Sequence, residues 1–161
     1  MSFPFCNANI NNDMTPIKEI QTGNIYTAFI AHELLMGIVK QMDGETITLK
    51  GRNLNEEDAP SFFSATPDQL MPVPMKWLSP LDLKYKKYWD CHLTIKNKEI
   101  TYKNLDGGTF FIFVGRDTET CEKYNGGGFG VSDFLNFLRK MGLIEEVDRI
   151  TGLFIEKFKL E

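Results

Sequence analysis

Side chains that bind metal ions or attack substrates are scarce in this sequence, which has three cysteines and two histidines in 161 residues. Cys6, Cys91 and Cys121 are far apart, so no pair of them has the short spacing typical of a zinc site. An odd number of cysteines with no secretory signal in front of them indicates reduced thiols in a cytosol. We therefore expect no metal ion, no cofactor and a cytoplasmic location.

Long apolar runs and a basic excess are also lacking. No segment approaches the ~20 apolar residues that are needed to cross a bilayer, which predicts no membrane partner. The net charge of −4 and the pI near 5.3 argue against binding of duplex nucleic acid, which normally requires a basic surface. The one basic cluster, residues 84–88, is typical of a solvated face, and holding a single nucleic acid strand is the alternative.

No complete catalytic motif is present. His92-Leu93-Thr94 matches the His-x-Thr tripeptide that two-histidine phosphoesterases use in pairs, but His32 does not supply the second copy. Cys91 and His92 are neighbours on a predicted strand, so their side chains point to opposite faces and cannot act together. We therefore predict no catalytic residue.

Aromatic residues are abundant, with 13 Phe, five Tyr and two Trp, and they favour strands. Strands are predicted near residues 24–30, 34–42, 45–50 and 71–75, the last as an edge strand because of its two prolines. Asp43-Gly44 lies between alternating apolar runs and predicts a hairpin with a type I′ turn. Residues 1–16 are expected to be irregular, and residues 17–75 to form a small SH3-like barrel.

The second half of the chain, residues 76–161, predicts a β-meander plus one helix. Its strands are expected at 88–95, 99–103 and 109–114, followed by a polar loop over 115–130. An amphipathic helix over 132–142, capped by Ser132 and ended by Gly142, is predicted to cover the meander. The tail 151–160 allows a strand or a helix, and its β-branched and aromatic residues favour the strand. The predicted fold class is α+β, in a single domain spanning residues 1–161.

Two segments are candidates for a binding site. Residues 51–69 predict a long loop containing Phe62 and Phe63, which either tuck into the core or form an exposed patch for a partner together with Trp77. The glycine-rich run before the predicted helix could hold an anion on its main-chain N–H groups, through Gly126, Gly127, Gly128, Gly130 and Ser132. This run lacks the lysine of a phosphate-binding P-loop and the βαβ setting of a dinucleotide site.

Part of the chain resembles a family of small proteins from Bacteroidota genomes and their phages and prophages. Glu19-Ile20-Gln-Thr-Gly23-Asn24-Ile25-Tyr26 is similar to the family's opening "RiGNyVy" segment, and Met71-Pro-Val-Pro-Met75-Lys76-Trp77-Leu78 is similar to its "PIPLTeewL" segment. The resemblance covers residues 18–143 in pieces; Lys76 replaces the expected threonine, and the glycine run replaces a "YVHQLQNL" segment. It implies an SH3-like N-terminal half and a mobile-element origin, and it transfers no catalytic residue.

Two functions are consistent with these observations. The first is a non-catalytic interaction protein of a phage or mobile element that captures a host or phage protein, or a small ligand, and so inhibits a host defence. The alternative is a nucleotide or phosphate-ester binding protein or enzyme that uses the glycine loop 126–130.

Overall fold

The computed structural model describes residues 10–11, 19–82, 85, 90–95, 98–105, 109–114, 117–124 and 130–161. These residues form an α+β structure, as predicted. The strands are β1 Ile10–Asn11, β2 Ile25–Ile30, β3 Glu33–Asp43, β4 Thr46–Asn53, β5 Ser61–Ala65, β6 Leu70–Pro72, β7 Asp90–Ile95, β8 Lys98–Leu105, β9 Thr109–Val114 and β10 Asp117–Tyr124. The helices are α1 Val131–Lys140 and α2 Ile144–Phe158.

The chain divides into two compact units. The first unit comprises Thr15–Val73 and Gly130–Glu161, and the second comprises Met1–Met14 and Pro74–Phe129. The C-terminal helices are therefore grouped with the N-terminal strands rather than with the meander that α1 was predicted to cover. The prediction of a single domain stays a prediction.

The sheet of the first unit is antiparallel and open, with the order β5-β4-β3-β2-β6. An SH3-like barrel is not confirmed, because β5 and β6 are separate edges of this sheet. One face carries the buried cluster Ile20, Tyr26, Ala28, Val39, Ile47, Leu49, Ala65 and Leu70. Alternation along β4 places Ile47 and Leu49 in this cluster, as expected for a strand with one buried face.

The hairpin between β3 and β4 is confirmed, although its turn type differs from the prediction. Asp43 pairs with Thr46, so Gly44 and Glu45 are the two central residues, and only Gly44 has a positive φ, of 62°. This pattern is that of a type II′ turn, which places glycine first, and not of the type I′ turn that we predicted.

Residues 51–69 are not the long loop that was expected. β4 continues to Asn53, β5 occupies Ser61–Ala65, and a 3-10 helix covers Pro67–Gln69. Phe62 and Phe63, which have high β propensity, lie in β5. The strand was not predicted because it is short and because the acidic residues and prolines on either side of it are typical of a loop. The predicted edge strand is found as β6, which pairs with β2.

The C-terminal residues form two helices. α1 begins at Val131, after the N-cap Gly130, and ends in a Schellman motif in which Gly142 has a φ of 74°. The tail, for which a strand was favoured, is the second half of α2, so that preference was wrong. The buried residues Val147, Ile150 and Phe154 recur at helical spacing along the whole of α2, and this periodicity outweighs their β propensity.

The second unit contains a sheet with the order β1-β10-β9-β8-β7. Strands β7 to β10 pair antiparallel in sequence order, and β1 pairs parallel with β10. β10 lies within residues 115–130, which were predicted to be a loop, so that prediction was wrong over Asp117–Tyr124.

Candidate functional site

The glycine-rich segment lies only partly within the described residues. Gly126, Gly127 and Gly128 are outside them, whereas Gly130 and Ser132 are described. Gly130 has an extended conformation, and its main-chain N–H donates to Oδ2 of Asp133 at 2.8 Å. A Cβ at this position would be 2.6 Å from the main-chain oxygen of Val73. Close packing against the segment that follows β6 therefore explains a glycine here without any ligand.

Ser132 also makes its hydrogen bonds inside the protein. Its hydroxyl donates to the carbonyl oxygen of Ile25 at 2.6 Å and accepts from the main-chain N–H of Ile25 at 2.9 Å. Ile25 lies one residue beyond Tyr26, where the pairing of β2 with β6 ends. The hydroxyl thus takes the place of a neighbouring strand at the end of a short ladder. It was predicted to be the N-cap of the helix, but that position is occupied by Gly130.

A buried polar network next to Ser132 was not predicted from the sequence. Nδ2 of Asn24 donates to the hydroxyl of Tyr26 and to Oδ1 of Asn136, each at 3.1 Å. Arg139 donates from Nη1 to Oδ1 of Asn24, and also to Oδ1 of Asn136 at 2.9 Å. Nδ2 of Asn136 donates to the carbonyl oxygen of Glu19 at 2.6 Å. The only signal in the sequence is that polar Asn136 and Arg139 interrupt the apolar pattern of α1.

The electrostatics of this network favour a structural role. Burial raises the pKa of Tyr26 far above its usual range, so its phenol stays protonated and is a poor acid or base near neutral pH. Burial also lowers the pKa of Arg139, although its guanidinium keeps its charge because the unperturbed value is so high. The network connects β2 to α1 through satisfied hydrogen bonds and offers no group for chemistry.

The two phenylalanines of β5 lie on opposite faces of the sheet. Phe63 is half-buried against the core cluster, and its ring is so close to Gly37 that a Cβ there would be 2.8 Å from Cε1. Phe62 is 64% exposed, and Nζ of Lys50 lies 5.5 Å from the centre of its ring. Phe63 therefore packs against the core and Phe62 is exposed, while an exposed patch for a partner stays a prediction. Trp77 is half-buried at the end of a 3-10 helix, Met75–Trp77, in the second unit.

A cleft of about 190 Å³ lies beside the start of β5, at Ser61. Its lining includes Ser61 and Phe63 together with the carboxylates of Glu33, Glu56 and Asp58. A hydrogen bond with Asp58, followed by the charge of that carboxylate, raises the pKa of Glu56 above its usual range. The acidic groups therefore repel one another, and a cation placed in the cleft would be attracted to them.

Arg52 is the basic residue in the lining of this cleft. Its guanidinium donates from Nη2 to the main-chain oxygen of Glu56, which holds the acidic segment against β4. In the part of the chain that the structure describes, the Nε of Arg52 is the one buried side-chain nitrogen or oxygen without a hydrogen-bond partner. Three carboxylates and one guanidinium leave the cleft with an acidic excess.

Comparisons of the chain with protein-family models, curated proteins and solved structures find no match in any of the three. Two searches of the described residues were also negative. They contain no helix with the length and apolar character required to cross a membrane. They also contain no group of three or more His, Cys, Asp or Glu side chains positioned to hold a metal ion.

Proposed function

We propose that this chain is a non-catalytic interaction protein that captures another protein through the outer edge of β5. The observation that carries the proposal is the character of this edge strand. Its sequence, Ser-Phe-Phe-Ser-Ala, contains no charge and no proline, and it presents Phe62 to solvent. Natural sheets usually protect an edge with charges, prolines or bulges, because its unpaired main-chain groups recruit other strands.

The pairing of β5 supports the same proposal. Among the described residues, β5 pairs only with β4, over the five positions from Ser61 to Ala65. A segment added to its other side would gain main-chain hydrogen bonds, as in recognition by strand addition. Phe62 would add apolar contact area, which is typical of the residues that contribute most to an interface.

The resemblance to small proteins of Bacteroidota phages and prophages extends this proposal to a biological setting. Under it, the chain is a protein of a mobile element that acts in the cytosol of its host. Capture of a host protein by β5 would then inhibit a defence of that host.

The test compares three forms of the protein as bait in lysate of a Bacteroidota host. Phe62→Ser removes the exposed ring of β5, and Phe29→Ser is the matched control, because Phe29 is 59% exposed at the end of β2. We expect a host protein that binds the wild type and Phe29→Ser but not Phe62→Ser. Identical captures by all three forms would contradict the proposal.

Binding of a nucleotide or phosphate ester by the loop 126–130 is the competing function. A ligand that binds only the native state raises its stability by RT ln(1 + [L]/Kd), which a thermal-shift measurement detects. A shift with any member of a nucleotide panel, combined with no capture that depends on Phe62, would favour that function instead.

A further inference from the structure

The two faces of β5 differ in chemistry, and an added strand would contact both of them. Phe62 shares its face with Lys50, its cross-strand partner on β4. Ser61 and Phe63 point to the other face and line the acidic cleft. Because successive residues of a strand point to opposite faces, a strand beside β5 would place one residue next to Phe62 and its two sequence neighbours on the cleft side.

The charge of the cleft specifies what such a neighbour should be. Glu33, Glu56 and Asp58 outnumber Arg52, whose guanidinium already donates to the main chain of Glu56. A lysine or arginine side chain would relieve the repulsion between Glu56 and Asp58, whereas an acidic side chain would increase it.

We infer that the segment captured by β5 is an extended strand of another protein, with an apolar residue opposite Phe62 and a lysine or arginine directly next to that residue in sequence. The basic side chain lies opposite Ser61 and enters the cleft. This inference rests on the proposed function, and it adds the class of partner.

A second copy of this chain is a poor occupant of the same edge. In an antiparallel pair of β5 strands centred on Phe63, Ala65 of one copy would be opposite Ser61 of the other. Centring the pair on Phe62 would bring Phe63 opposite Ser61 instead. Neither register places a basic side chain next to the acidic cleft, so a second copy would leave the charges of the cleft uncompensated.

The test is selection of a displayed library of random short peptides on the full-length protein. Selection is run in parallel on the wild type, on Phe62→Ser, on the double variant Glu56→Gln/Asp58→Asn, and on Glu57→Gln. The last is the matched control, because Glu57 is an exposed carboxylate of the same segment that does not line the cleft.

We expect the wild type and Glu57→Gln to select alternating sequences with a basic residue adjacent to the central apolar one. The double variant should bind these peptides about threefold to tenfold more weakly, as expected for loss of two exposed charges. Phe62→Ser should select none of them.

Four outcomes would overturn the inference. If the selected peptides lack the basic residue, or bind the double variant equally well, the cleft does not set specificity, while dependence on Phe62 would still support the proposed function. If no peptide depends on Phe62, the proposed function fails as well. If light scattering shows a dimer that Phe62→Ser dissociates, the partner is a second copy.

Discussion

Replacement of Ser132 by alanine tests whether this residue belongs to the fold or to a ligand site. In the structure, its hydroxyl satisfies both the N–H and the C=O of Ile25, a residue with no exposed surface. Alanine fits the same space but leaves a buried donor and a buried acceptor without partners. Each such group costs about 1–3 kcal/mol, so Ser132→Ala should lower the free energy of unfolding by about 2–6 kcal/mol.

Urea denaturation measures this loss. With a slope of about 2 kcal/mol per molar urea, the midpoint of unfolding should fall by about 1–3 M. Ser64→Ala is the control, because Ser64 is exposed on β5 and its replacement should change the stability by no more than about 0.5 kcal/mol.

Hydrogen exchange locates the effect within the first unit. The amide of Ile25 should lose protection in Ser132→Ala, because its acceptor has been removed. The amide of Val39, which donates to the carbonyl oxygen of Asn24 at 2.8 Å, should lose less. A midpoint equal to that of Ser64→Ala, with the amide of Ile25 still protected, would refute the reasoning. If Ser132→Ala also lost a nucleotide-induced thermal shift that the wild type shows, Ser132 would belong to a ligand site.

Three further predictions concern backbone fit and pH. Gly130→Ala should destabilise the protein by about 1–3 kcal/mol in urea denaturation, because its Cβ would meet a main-chain oxygen. Gly152→Ala, in open space on α2, should stabilise the protein by about 1 kcal/mol. Equal effects of the two substitutions would contradict this explanation of Gly130. The turn between β2 and β3 has positive φ at Ala31 and His32, so Ala31→Asn/His32→Gly should raise the unfolding free energy by about 1 kcal/mol, and an unchanged melting temperature would argue against strain there. The pKa of Glu56 is raised in the folded state, so the free energy of unfolding should fall as the pH rises from the pKa of Glu56 in the unfolded chain through its pKa in the folded protein. Glu56→Gln should flatten that part of the curve of stability against pH. A curve identical to that of the wild type would show that the carboxylates do not interact.

Local patterns in the sequence were sufficient for several strands of the first unit. The Asp43-Gly44 pair and the alternation of Ile47 and Leu49 are properties of adjacent residues, and together they located the hairpin of β3 and β4, although the predicted turn type was wrong. The preceding hairpin carries no such signal, because Ala31 and His32 are not typical of a turn with positive φ. Its register depends on tertiary packing of the flanking strands, which no local pattern encodes.

The candidate site was less predictable, because its groups are brought together across the whole chain. Asn24 and Asn136 are hydrogen-bonded although 112 positions separate them, and Ser132 and Ile25 are separated by 107. The sequence shows only that Asn24, Ser132 and Asn136 are polar, and the glycine-rich run before the helix suggested a ligand for Ser132. Their shared role depends on the docking of α1 against β2, and that docking was assigned to the wrong sheet.

The two edges of the first sheet differ in how their main chains are satisfied. At the β6 edge, the residues that begin α1 continue the pairing beyond the strand. The N–H of Val131 donates to the carbonyl oxygen of Val73, and the hydroxyl of Ser132 bonds to both main-chain groups of Ile25. At the β5 edge, the described residues supply no equivalent groups, and the strand has neither charge nor proline to discourage pairing. The residues that begin α1 thus extend the pairing at one edge, whereas the described part of β5 pairs only with β4 and retains the main-chain groups that a partner strand would need. Ser132 is therefore better explained by its hydrogen bonds to β2 than by a ligand, and a search for the function should begin at β5.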